Sequence, residues 1–92
     1  MKTTHNNTYP LTMLSDGQRG IVVAVHGGIG FKGRMSALGF TPGARVRIVR
    51  NPSRGPLIVS VLDTQIALGR GQAAKVYVRI ASPRRGSRRG GA

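Results

Sequence analysis

Asp16 and Asp63 are the only carboxylate side chains in this chain of 92 residues, and they set the first limit on its chemistry. General acid–base catalysis needs positioned carboxylates or histidines. Asp16 stands in Ser15-Asp16-Gly17 and Asp63 in Leu62-Asp63-Thr64, contexts in which aspartate serves its own turn by accepting from nearby backbone N–H groups. The two histidines, His5 and His26, are not at ligand spacing with each other or with an acid, so no metal ligand set can be assigned. Cysteine is absent, which removes disulfides and thiolate chemistry. No Ser–His pattern marks an activated nucleophile. Gly27-Gly28-Ile29-Gly30 lacks both the lysine-serine ending of a P-loop and the spaced glycines of a dinucleotide fingerprint, and reads as a flexible strand-to-helix connection. There is thus no candidate catalytic or cofactor-binding residue, and enzyme is the weakest class.

What remains is positive charge. Fifteen Lys and Arg against two acids give the chain a net +13. Four of the arginines (Arg84, Arg85, Arg88 and Arg89) fall in the last eleven residues, so residues 1–81 still carry 11 basic groups against 2 acidic ones. Such an excess favours an acidic protein surface, nucleic acid or an anionic membrane face, and says nothing about fold. Six residues are candidates for contact with such a partner. Arg45 and Arg47 share one face of an alternating strand, Arg50 and Arg54 continue into the next loop, and Lys32 and Arg34 lie on a helix opposite its apolar side. Aromatic residues are few (Tyr9, Phe31, Phe40, Tyr77), which counts against stacking of single-stranded bases.

The elements that position these groups are compactly encoded between Gly33 and Asn51. Phe31, Met35 and Leu38 fall on one helical face, which is expected to be buried. Gly39 follows as a left-handed helix stop, and Phe40 folds back as its hydrophobic partner. Pro42-Gly43 suits the centre of a type II turn. Val46 and Ile48 then alternate with Arg45 and Arg47 along a strand. Elsewhere, Arg19–His26 reads as a strand apolar on both faces and buried from two sides. Leu57–Leu62 and Gln65–Leu68 read as a hairpin joined through Asp63-Thr64. Gly69–Lys75 allows one helical turn, and Val76–Ile80 reads as the closing strand. Residues 1–9 are expected to be loosely attached and residues 82–92 disordered, leaving one domain over 10–81. The sum is a mainly β domain: a small SH3-like antiparallel barrel of about five strands with one short inserted α-helix. The start is polar and the longest apolar run is Ile21–Val25, far short of the ~20 residues of a membrane span, so the expected compartment is the cytoplasm.

Three stretches resemble the FeoA domain family. Leu11-x-x-Leu14-x-x-Gly17-x-x-Gly20-Ile-Val-Val is similar to its opening, Arg34-Met-Ser-Ala-Leu38-Gly39-Phe-Thr-Pro42-Gly43 to its central motif, and Pro56–Val61 with Gln65–Val76 to its closing half. The resemblance covers Leu11 to Ile80. It implies an SH3-like barrel in which Gly20, Leu38, Gly39, Pro42 and Gly43 are structural. It also implies a non-enzymatic accessory of ferrous iron uptake that contacts the cytoplasmic GTP-binding region of the membrane transporter FeoB. A general link to transition metals, iron above all, comes with the family and with no ligand set. Asp16 stands where the family often has proline. The Arg-rich tail lies outside the pattern and is expected to hold the protein near an anionic membrane face. A second reading stays open: an RNA-binding SH3-like module of the ribosomal or KOW kind, loosely suggested by Gly20-Ile-Val-Val-Ala-Val and by the charge.

Overall fold

Only short-range stereochemistry is needed to build the centre of the molecule. The computed structural model describes residues 7–81. Helix α1 spans Ile29–Ala37, beginning two residues before the expected start, with Gly28 as an extended N-cap. It ends as a Schellman motif. The Phe40 N–H donates to the Met35 carbonyl at 2.9 Å and the Gly39 N–H to the Ser36 carbonyl at 2.9 Å, with Gly39 at φ +107°. These two bonds satisfy carbonyls that a helix end leaves free, and they bring Phe40 back onto Met35. Thr41–Ala44 then makes the expected turn: the Ala44 N–H donates to the Thr41 carbonyl at 2.9 Å, and Gly43 takes φ +91°, which the third position of a type II turn requires.

Six strands follow from the rest of the chain: β1 Thr8–Pro10, β2 Arg19–Val25, β3 Arg45–Arg50, β4 Leu57–Val61, β5 Thr64–Leu68 and β6 Val76–Ile80. A 3-10 turn at Leu11–Met13 follows β1, and the one-turn helix α2, Arg70–Ala73, precedes β6. The strands form one antiparallel sheet in the order β1-β6-β2-β3-β4-β5. The mainly antiparallel fold with one short helix is as expected, with a sixth strand added and with the end strands β1 and β5 unpaired to each other, so the ring is open. Leu11, Val22, Met35, Phe40, Val46, Ile48, Val59 and Val78 are among the residues that fill a single core.

Three local expectations need correction. Thr8 and Tyr9, read as part of a loose end, pair with Arg79 and Val78. Strand β2 is not buried on both faces, since Val23 is 37% exposed. A bulge between Val22 and Ala24 shifts its register on β6, which switches the inward positions from Gly20 and Val22 to Val25 and so explains the unbroken apolar run. Leu38, expected in the core, caps α1 and is 40% exposed. The helical spacing i+7 no longer holds where the chain turns into the glycine stop.

The β4–β5 turn also differs from expectation. It is Leu62-Asp63, with Thr64 already in β5 opposite Val61. Both turn residues have positive φ, +52° and +59°, as in a type I′ hairpin, where asparagine and glycine are preferred. Leu62 is 74% exposed, so it loses little by replacement. Leu62→Asn is therefore expected to raise stability by about 1 kcal/mol, because an L-leucine in the left-handed region is strained and asparagine is less so. An upward shift of the urea midpoint at unchanged slope checks this.

Candidate interaction surfaces

The outward positions of the sheet collect the arginines. On β3, Val46 and Ile48 face the core while Arg45 and Arg47 are exposed. A bulge between Ile48 and Arg50 turns Arg50 outward as well, opposite Ile58. Register then adds two residues that the sequence reading missed. Arg19 lies directly opposite Arg47, and Ile21 lies between Arg45 on β3 and Arg79 on β6. Five guanidinium groups thus share one face. None makes a hydrogen bond or ion pair with another described residue. Like charges opposite each other across a sheet are destabilising, so Arg19 and Arg47 are placed against the interest of the fold alone. The signal that could have found this face was the pairing partner of each alternating position, which a single strand does not contain.

A shallow trough of about 580 Å³ runs over this face, lined by Arg19, Arg45, Arg47, Ser60, Leu62 and Ala81, with Asp63 at the β4–β5 turn. Ala81 is held there by its N–H, which donates to the Arg19 carbonyl at 2.9 Å. Tyr77 points outward from β6 two residues before Arg79, and its ring packs on His26 at a centroid distance of 4.6 Å.

Lys32 and Arg34 do not join that face. They are exposed on α1, whose buried Met35 packs into the core that Val46 and Ile48 also enter. There Arg34 and Lys75 share one ring. The Arg34 guanidinium lies 5.9 Å and the Lys75 ammonium 5.2 Å from the centre of the half-buried Phe31 ring, both within cation–π range. Ile29, at the start of the same helix, is 92% exposed. Arg54 is separate again, exposed in the β3–β4 loop. That loop is fastened by three side chains. Asn51 donates through Nδ2 to the Thr12 and Leu14 carbonyls at 3.0 and 2.6 Å, and Arg70 donates through Nη1 to the Pro52 carbonyl at 2.7 Å. Asp16 serves the same junction, its Oδ1 accepting from the Asn51 N–H at 2.6 Å.

Gly39 and Gly43 occupy the helix stop and turn already described. Gly20 is buried on β2, and a Cβ there would meet Val78 Cγ2 at 3.0 Å. Among the described residues, no group of three or more His, Cys, Asp or Glu gathers. His26 therefore has too few donor side chains gathered with it for the described residues to fit a resident metal ion; His5 lies outside the described residues, as does the whole Arg-rich tail. No helix among the described residues is long and apolar enough to cross a membrane.

Comparison with known proteins places this geometry. The FeoA domain matches residues 9–80. A Methanocaldococcus jannaschii protein named for Fe(2+) transport, protein A, is 36% identical over 70 residues, which cover 76% of this chain and 84% of that protein. The crystal structure of an iron uptake regulatory protein, FeoA, superposes with a TM-score of 0.77 at 35% identity, covering 80% of this chain and 99% of that one. The zinc-complexed FeoA of Stenotrophomonas maltophilia, described as a prokaryotic SH3 domain protein, does so with 0.65 at 32% identity, covering 74% and 86%. The chain therefore has the SH3-like fold of FeoA structures, and it belongs to the FeoA domain family.

Proposed function

We propose that this chain is a non-enzymatic accessory protein of ferrous iron transport. It acts by contact with the cytoplasmic GTP-binding region of a FeoB-like membrane transporter. The observation that carries this reading is the 36% identity, over most of both chains, to a protein named for Fe(2+) transport. The α1 surface supports a protein partner. The half-buried Phe31 ring lies between Arg34 and Lys75, and Ile29 and Lys32 are exposed on the same helix; apolar groups set among charged ones are common at protein interfaces. The basic groups would orient the encounter and speed it more than they would tighten the complex. In this reading iron is the transporter's cargo, not a ligand of this chain.

The test is direct binding of the full chain to the purified GTP-binding region of a FeoB-like transporter, at about 150 mM salt, where distant surface charges are screened. Binding is expected, with association slowed about tenfold by Lys32→Glu with Arg34→Glu. Absence of binding by the unaltered protein would refute the partner; binding indifferent to the two substitutions would refute the surface.

A further inference from the structure

The geometry points to a second binding activity on a different surface of the molecule: the outer face of β6, β2 and β3 is a binding site for single-stranded nucleic acid. Three independent features converge there. The first is an unneutralised set of arginines. Arg45, Arg47 and Arg50 form a stripe along β3, with Arg19 opposite Arg47 and Arg79 across Ile21. The guanidinium fork matches phosphate oxygens two at a time, and among the described residues no lysine shares this face.

The second feature is shape and continuation. Three of the arginines, Arg19, Arg45 and Arg47, line a trough of about 580 Å³ that carries one acid, Asp63, at the β4–β5 turn, and a concave surface suits a linear polyanion better than a flat membrane. Ala81, the last described residue, lines that trough. The chain continues from this point into a segment with Arg84, Arg85, Arg88 and Arg89. Arginine-rich segments of this composition are common in proteins that bind single strands.

The third feature separates nucleic acid from an acidic peptide. Tyr77 shares the outer face of β6 with Arg79, about 7 Å away along the strand, and carries His26 packed against its ring. Bases stack on aromatic rings beside a basic channel, while an acidic peptide has no use for such a platform. From the sequence, Tyr77 was one aromatic residue among four. Register places it at the end of the arginine rows.

The experiment measures binding of a labelled oligouridylate of about 12 nucleotides to the full-length chain with the four tail arginines changed to serine, so that the sheet face is read alone. Affinity is expected to fall about 50-fold between 50 and 200 mM salt, as four phosphate contacts imply, and about 7-fold for the added pair Arg45→Ser and Arg47→Ser, as two contacts imply. Tyr77→Thr keeps a good strand former without the ring. It is expected to weaken binding about tenfold at both salts, with the salt dependence unchanged, while Tyr77→Phe retains affinity. Thermal unfolding confirms that each variant is folded, and the exposed arginine pair provides a test even if Tyr77→Thr is not. The proposal would be overturned by no binding of the tail-neutral chain, no effect of the arginine pair, no effect of Tyr77→Thr in a folded protein, or equal displacement by oligoglutamate. Equal displacement by phosphatidylglycerol vesicles would likewise overturn it and assign the face to a membrane.

Discussion

Phe40→Ala is expected to remove about 3–5 kcal/mol of folding stability, the range for truncating a fully buried phenylalanine. Phe40 is among the largest fully buried side chains, 1% exposed, and it is positioned by the backbone bond from its own N–H to Met35. Its loss would therefore open a void under the helix C-terminus and weaken the contact that stops the helix. Globular domains have only about 5–15 kcal/mol in total, so much of the population would be unfolded at mild denaturant. Urea unfolding with an unchanged slope measures it. Phe31→Ala provides the contrast, because Phe31 is only half-buried; a loss as large as that of Phe40→Ala would contradict this assignment of the core.

Gly39→Ala is expected to cost about 3 kcal/mol, from two sources that can be separated. The first is conformational: a φ of +107° is open to glycine and strained for alanine, by about 1–3 kcal/mol. The second is steric. A Cβ at Gly39 would stand 2.9 Å from Leu62 Cδ1 and 3.2 Å from Val61 Cγ2. Leu62 is the exposed tip of the β4–β5 hairpin and can swing aside, whereas Val61 is buried in β4 and cannot. Combining Gly39→Ala with Leu62→Asn should recover part of the steric loss and none of the conformational part. A double-mutant cycle that shows full additivity would mean that the two residues do not meet.

The same two residues show what could be read from sequence and what could not. Gly39-Phe40-Thr41-Pro42-Gly43 is legible because each step is decided by the stereochemistry of the residue itself. The contact between Gly39 and Leu62 is not, since it joins positions far apart in the chain through the fold. β1 escaped notice for that reason. Thr8-Tyr9-Pro10 has no pattern of its own and is a strand only because β6 presents a free edge to it. The bulges in β2 and β3 were equally hidden, and they decide which way Val23 and Arg50 face. For the interaction surfaces, the alternation along β3 exposed Arg45 and Arg47 at once. Grouping them with Arg19 and Arg79, and separating them from Lys32 and Arg34, required the register of three strands.

The pairing of β1 with β6 has a consequence for how this domain can be joined to other chains. Thr8 lies across from Arg79, so the backbone enters and leaves the fold at one corner. A linker of a few residues could bridge 81 to 8 without disturbing a strand pair, and the chain could be reopened at an exposed loop such as Ser53–Gly55. The same corner makes the domain a ready insert, able to sit within a surface loop of a larger host while its sheet and its helix stay free on either side.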